Sequence, residues 1–274
     1  MPELPEVETL VRQLRGRVTG RTIVDAALSH DNLLEGVSRR ILLRDLAGRR
    51  ILGVDRRAKH ALIRTDTRTL DVQPGMTGSL MVHDSPLAGT DAKYAVLRCT
   101  LDDGGLLVYH DVRRIGTIRW LDARGWAAYE ARLGPEPLDP ALTPAAFAAR
   151  LGASRAAIKK VLMDQRFVVG VGNIYANEAL YLAGIDPSRP ANRVARAQYH
   201  LLLAEVQRVL AAAIAAEGTT FRDYRTGTGE PGNFQLELQV YGREGAPCRR
   251  CGTTLAGTHA IDARITVFCH RCQA

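Results

Sequence analysis

The chain has 274 residues, enough for about two domains at roughly 150 residues each and for a sizeable core. Hydrophobic content of 46% and charged content of 24% exclude wholesale disorder. No apolar run approaches the ~18 residues of a membrane span, and the acidic start MPELPEVE lacks an apolar signal region, so the expectation is a protein that stays inside the cell.

In chain order, Val7, Leu10, Val11, Leu14 and Val18 recur at helical spacing, with Pro5 in the first turn, and this predicts a leading helix with residues 1–4 as a short arm projecting from its N-terminus. From about 21 to 121 the pattern alternates. Segments 22–28, 50–55, 61–65, 69–73, 79–83, 94–101, 105–110 and 115–120 read as strands, with Asp103-Gly104-Gly105 as a tight hairpin. Many short strands punctuated by turns predict a β-sandwich or barrel rather than a βαβ array.

Gly134-Pro135-Glu136-Pro137 marks a boundary, after which the chain turns helical. Thr143-Pro144 reads as N-cap and first helical residue of a helix to about 151, and Ser154 as the cap of a second through 163. A third helix begins near Asn173, and a long one runs from about 194 to 216, stopped by Gly218. Residues 219–233, rich in Gly and Thr, read as a mobile loop.

The charge is +8, and only four of the 37 basic residues are lysines. Arginine suits bidentate phosphate contact, but a compositional bias gives the same count, so charge alone is weak support for a polyanionic partner. Cysteine placement says more. Cys248, Cys251, Cys269 and Cys272 read C-x2-C-x17-C-x2-C, the spacing of a four-thiolate zinc site with a small hairpin between the pairs. All four positions are protein ligands, which makes the zinc structural. Cys99 falls in an alternating segment and reads as a buried strand cysteine.

Val169-Gly170-Val171-Gly172-Asn173 fails as a dinucleotide loop, since Tyr175 stands where that pattern needs glycine and no strand precedes it. It reads instead as a glycine turn opening a helix, whose N-terminus can seat a phosphate. Removal of Met1 would expose Pro2 as a secondary amine able to attack an aldehydic carbon, with Glu3 and Glu6 at hand as acid or base. The basic runs Arg56-Arg57-Ala58-Lys59 and Arg113-Arg114 read first as solvated faces, while Lys59, at a strand start, reads also as a proton shuttle or a phosphate ligand.

Together these segments resemble the formamidopyrimidine-DNA glycosylase family. MPELPEVET (1–9), RRAKHALI (56–63), GMTGSL (75–80), RRIG (113–116), LGPEPL (133–138), LMDQRFVVGVGNIYANEAL (162–180), ELQVYGREGAPC (237–248) and the four-cysteine element fall in family order. Leu4 is similar to this branch rather than to endonuclease VIII proteins, which tend to carry glycine there. The resemblance implies an N-terminal β-sandwich domain with a leading helix (1–132), a helix-two-turn-helix domain (133–233) and a zinc finger hairpin (234–274).

It also implies a bifunctional glycosylase and abasic-site lyase of base excision repair, acting as a cytoplasmic, nucleoid-associated monomer on double-stranded DNA that carries oxidised purines or abasic sites. By resemblance Pro2 is the nucleophile, Glu3 the acid at sugar ring opening, and Lys59 and Arg264 the proton donors for β- and δ-elimination. Met76 and Arg113 fill the gap left by the everted nucleotide, and Asn173 and Tyr241 contact phosphates. Tyr94 and Arg155 stand near two further DNA contacts. A basic cleft between the domains, with Pro2 pointing into it, is the expected layout. The chain departs from the family pattern at Gln73-Pro74, where His-Leu is usual, at Tyr94, where a DNA-contact histidine is usual, at Ile115, where phenylalanine is usual, and at Ser154, near a basic contact. These positions bear on DNA grip and lesion preference and leave open a preference for oxidised pyrimidines or other lesions. A non-catalytic damaged-DNA binder of the same fold is the alternative from a different class, against which Pro2, Glu3, Lys59 and Arg264 together argue.

Overall fold

The structure is a computed structural model that describes residues 1–219 and 232–273. The predicted loop 219–233 falls almost wholly outside the described residues. Contacts divide the chain into two units, Met1–Ala131 with Ala216–Asn233, and Arg132–Ala215 with Phe234–Ala274.

The first unit opens with α1 (Leu4–Val18). Leu4, Val7, Leu10, Val11, Leu14 and Val18 form its inner face, each at most 1% exposed, and full burial of such a side chain contributes about 1.5–3 kcal/mol. The helix begins at Leu4. Pro2 and Glu3 are buried, which corrects the expectation of a projecting arm: the apolar face extends to the first turn and draws the chain start onto the core.

Eight strands follow, as the alternation predicts: β1 (Thr22–Leu28), β2 (Arg49–Arg57), β3 (His60–Thr65), β4 (Thr69–Gln73), β5 (Gly78–His83), β6 (Ala95–Leu101), β7 (Leu106–Asp111) and β8 (Thr117–Leu121). Their order is β5-β7-β6-β1-β2-β3-β4-β8, with every pair antiparallel. Only Thr22↔Arg50 and Ile23↔Arg49 join β1 to β2. At that seam the order turns into the two four-stranded layers of a β-sandwich. One core joins the layers: Leu97, Cys99, Leu101 and Tyr109 pack in the same cluster as Ile51, Val54, Ile63, Val72, Ile118 and the inner face of α1. Gly104, at φ +86°, closes the β6–β7 hairpin. Cys99 is fully buried, and burial pushes its thiol up to about 12.

Three short helices escape the sequence reading. These are α2 (Arg39–Leu46), capped by the Ser38 hydroxyl, α3 (Gly89–Tyr94), and α4 (Ala123–Glu130), capped by Asp122.

The second unit holds α5 (Pro144–Gly152), α6 (Ile158–Met163), α7 (Asn173–Leu182) and α8 (Arg196–Ala215), then a hairpin of β9 (Ala256–Thr258) and β10 (Thr266–Phe268). Thr143 caps α5 as predicted, its hydroxyl accepting from the Ala146 N–H at 3.2 Å. Ser154 does not cap α6. Its hydroxyl accepts from Ala156 N–H in a local turn, and α6 starts three residues later than that role requires, with Ala157 at its N-cap. The glycine turn between α6 and α7 is tied by Gln165, which donates to the Met163 and Val171 carbonyls and accepts from Gly170 N–H. Gly170 sits at φ +83°, where a side chain would be strained.

Candidate functional site

Three of the four catalytic candidates, Pro2, Glu3 and Lys59, lie in the first unit, and Arg264 lies in the second. Glu3 is the N-cap of α1. Its backbone N–H donates to Glu6 Oε2 at 2.8 Å, while its carboxylate accepts from the Glu6 N–H, forming a reciprocal capping box. The second carboxylate oxygen of Glu6 accepts from Thr219 N–H at 2.9 Å. Sequence reading singled out Glu6 only as a spare acid or base, although Glu-x-x-Glu before an apolar run resembles a capping-box signal. Structurally Glu6 is a brace. It fixes the backbone of Glu3, and so the direction in which Pro2 leaves the helix. The positive end of the α1 dipole favours the uncharged form of an amine placed there.

Lys59 occupies the β2–β3 turn and is 5% exposed, so the surface reading of this basic run fails for it. Ala58 takes a left-handed φ of 55°, and its carbonyl accepts from Arg56 Nη1. Arg56 also pairs with Glu8 of α1 at 2.8 Å, and Arg15 donates to the Val54 carbonyl. These bonds clamp the leading helix, with Pro2 and Glu3 at its start, against the hairpin that carries Lys59. Behind Lys59, His60 Nδ1 meets Asp71 at 2.9 Å, Asp71 meets Arg119 at 3.0 Å, and Arg119 meets Glu35 at 2.7 Å. No local signal marked this chain of contacts, because His60, Asp71 and Arg119 come from three separate strands and Glu35 from a loop.

Met76 and Arg113 come together on adjacent turns of the first unit, with Arg113 Nη1 donating to Met76 Sδ at 3.0 Å. Met76, Val112 and Ile115, on these two turns, are all about half exposed. Tyr94 ends α3, with the Lys93 ammonium over its ring.

In the second unit the Cys248, Cys251, Cys269 and Cys272 sulfurs lie within 4.8 Å of one another. Separations of 3.9 Å for Cys248–Cys272 and 3.5 Å for Cys251–Cys269 match the edge of a tetrahedron around an ion ~2.3 Å from each sulfur. Burial alone would raise the Cys248 thiol, yet bonds from the Tyr181 hydroxyl and nearby backbone N–H groups bring it down to about 6. Burial and the neighbouring thiols push Cys272 up to about 12. Four such groups cannot ionise together without a cation at their centre, so the donor set fits a thiophilic dication. Arg250 fixes the cluster to the end of α7 by stacking on Tyr181 and donating to the Tyr181 and Leu182 carbonyls. Beside Cys272, Gln273 donates to the Ile185 carbonyl and accepts from Cys269 N–H.

The β9–β10 loop carries Arg264, exposed and paired with Asp262 at 3.0 Å. The next residues are gripped from the helices. Lys159, fully buried, donates to the Ile265 carbonyl and the Thr266 hydroxyl, Asn173 donates to the same carbonyl at 3.1 Å, and Asn177 accepts from Val267 N–H. Asn173 thus stands at the start of α7, as its predicted phosphate role needs, and also touches the residue after Arg264. The buried carboxylate of Glu178 accepts from the N–H groups of Gln239, Val240 and Tyr241, which sets the backbone of Tyr241. Arg155 precedes α6 on the surface.

Family models agree with this architecture. The model described as the formamidopyrimidine-DNA glycosylase N-terminal domain matches residues 1–118, and the one described as its H2TH domain matches residues 133–225. A formamidopyrimidine-DNA glycosylase of Stutzerimonas stutzeri is 45% identical over 274 residues, covering all of both chains. Among solved structures, a Lactococcus lactis Fpg mutant complexed with DNA containing Fapy-dG superposes with a TM-score of 0.91 at 32% identity, covering 99% of each chain. The wild-type Lactococcus lactis protein with DNA containing an oxidised pyrimidine gives 0.89, with the same identity and coverage. The chain belongs to the formamidopyrimidine-DNA glycosylase family.

Proposed function

We propose that this chain is a bifunctional DNA glycosylase and abasic-site lyase of base excision repair that removes oxidised purines from duplex DNA. The observation that carries the reading is the first turn of α1. It buries Pro2 and Glu3 at the positive end of a helix, with Glu6 fixing the Glu3 backbone, and the Arg56–Glu8 and Arg15–Val54 bonds hold that helix against the hairpin that carries Lys59.

Once Met1 is removed, the Pro2 nitrogen attacks C1′ of the damaged nucleotide as the bond to the base breaks. Glu3 protonates the sugar oxygen as the ring opens, leaving an iminium between Pro2 and C1′. Loss of the C2′ proton to solvent water turns that iminium into an enamine, whose electron pair expels the 3′-phosphate, with Lys59 supplying a proton to the departing group. A second elimination releases the 5′-phosphate, with Arg264 as the donor. A base stacked in a duplex cannot be reached in this way, so the nucleotide is everted, and Met76, Arg113 and Ile115 fill the space it leaves. Asn173, Tyr241, Arg155 and Tyr94 contact the DNA backbone.

One zinc on the four cysteines holds the hairpin that carries Arg264 and supplies no chemistry of its own. The protein acts as a monomer on double-stranded DNA in the cytoplasm, at the nucleoid. Among the described residues no helix is long and apolar enough to cross a membrane. A second reading, preference for oxidised pyrimidines, is favoured by Ile115, a smaller wedge than an aromatic ring. Turnover on a panel of lesions opposite each base separates the two.

The direct test is a borohydride trap. Processed protein and lesion duplex should give one covalent adduct whose mass places it at Pro2, and Pro2→Gly should reduce it to near background. Undiminished trapping in that variant would put the nucleophile elsewhere.

A further inference from the structure

Asp111, at the end of β7, is fully buried and takes no part in the chemistry above. Its Oδ1 accepts from the Thr77 hydroxyl at 2.6 Å and from Arg113 N–H at 3.2 Å. Its Oδ2 accepts from the Tyr109 hydroxyl at 3.1 Å, Ile115 N–H at 3.1 Å and Gly116 N–H at 2.9 Å. Arg113 N–H is shared with the Thr77 hydroxyl oxygen at 2.9 Å, and Gly75 N–H donates to the Tyr109 hydroxyl. One carboxylate therefore ties two turns that lie some 35 residues apart in sequence, the Met76 turn and the 112–116 turn.

Glycine makes the approach possible. A Cβ at Gly75 would lie 2.7 Å from Gly116 N and 3.0 Å from Asp111 Oδ2, and one at Gly116 would overlap the Tyr109 hydroxyl. Beyond this locked base the side chains change character. Met76, Val112 and Ile115 stand about half exposed, with the Arg113 guanidinium against Met76. Rigid backbone beneath exposed apolar tips suits insertion between bases, because a flexible loop would lose conformational freedom on entering the stack.

We propose that Asp111 is the positioning residue that preassembles Met76, Arg113 and Ile115 into a single wedge before DNA is met. The inference rests on the reading that these side chains fill the everted nucleotide's place. Asn at this position keeps the shape but turns an amide NH2 toward groups that all donate, so the two turns lose their common anchor.

The experiment compares wild type, Asp111→Asn and Thr77→Val on two substrates: a lesion duplex carrying 2-aminopurine opposite the lesion, and a single-stranded oligonucleotide with a preformed abasic site. The second substrate has no partner strand and no gap to fill. Asp111→Asn should raise KM on the duplex about tenfold and shift the 2-aminopurine signal away from its wild-type value. Borohydride trapping on the single strand should stay within about twofold of wild type. Thr77→Val, which removes one of the five bonds, should move the same readouts less, and it keeps the test alive should Asp111→Asn fail to fold. Combining Asp111→Asn with Met76→Ala should add little to either change alone. Equal losses on both substrates, or full additivity with Met76→Ala, would overturn the proposal by making Asp111 a general stabiliser. If Met76→Ala and Arg113→Ala leave the duplex KM and signal unchanged, the wedge reading itself falls. If they raise KM while Asp111→Asn does not, only the role of Asp111 falls.

Discussion

The two units hold their functional side chains by different means. In the first, Pro2, Glu3 and Lys59 ride on a large apolar core, with the inner face of α1 sealed against both layers of the sandwich. In the second, Arg264 sits exposed on a hairpin of two three-residue strands, held by four cysteines and a polar clasp from Lys159, Asn173 and Asn177. Apolar burial is spread over many residues and tolerates single losses. A small element whose apolar cluster is confined to a few side chains, here Tyr181, Val240, Leu255 and Val267 around the cysteines, leans more on a few polar or metal bonds. Pro2, the proposed nucleophile, should therefore survive perturbations that dismantle the hairpin of Arg264, the proposed proton donor of the last step.

The sharpest way to break this contrast is to remove the metal. Replacing Cys251 with Ser, or chelation, should abolish lesion-duplex binding through loss of the hairpin fold, while circular dichroism retains the β signal of the first unit. Metal analysis of intact protein should return one zinc per chain. Unchanged binding after metal loss would show that the hairpin stands without it. Next in size, Glu3→Gln should slow base release by about 10²–10⁴-fold, the range for a positioned acid or base, with duplex affinity retained. Normal release would remove Glu3 from the chemistry.

Arg264→Ala should leave base release intact and stop strand cleavage at the β-elimination product, visible as the slower-migrating fragment on a gel. Loss of base release in that variant would contradict the division of labour between the units. Lys159→Met should weaken the second unit by about 1–3 kcal/mol, since it strands the buried Thr266 hydroxyl and removes one of the two donors to the Ile265 carbonyl, and should lower the δ-product fraction more than base release. The smallest effect concerns His110 in the sandwich. Burial, helped by the facing His83 ring, lowers its pKa from 6.5 to about 4, against the opposing pull of Asp91. The unfolded chain then binds the extra proton first. This contribution to stability is complete above pH 6.5 and is lost as pH falls toward 4. Thermal melts of the first unit should decline over that window, and His110→Thr should flatten the decline.

All eight strands were legible as short runs bounded by turn residues, although β3 and β7 are buried at nearly every position and keep no strict alternation of burial. The leading helix and α5 were legible from their apolar stripe and from Thr143-Pro144. The missed helices have physical reasons: α3 buries no residue, and α2 buries only Leu42 and Leu46, so neither writes a stripe into the sequence. Ser154 misled because its hydroxyl found a closer donor than the start of a helix. Of the candidate site, the cysteine cluster could be read from spacing and Pro2 from position. The supports could not. The clasp around β10 is assembled from distant segments, as is the Thr77 bond that ties Asp111 to the Met76 turn, and nothing near Lys159 or Glu178 in sequence announces their partners.

Cys99 offers a final use. It is the one thiol remote from the four-cysteine cluster, sealed in the sandwich core and held protonated by burial. Alkylation of the native, metal-loaded chain should label none of its cysteines, chelation should open four, and only global denaturation should admit the fifth. Mass-resolved labelling thus reports separately on the integrity of each half of the molecule, with no engineered probe.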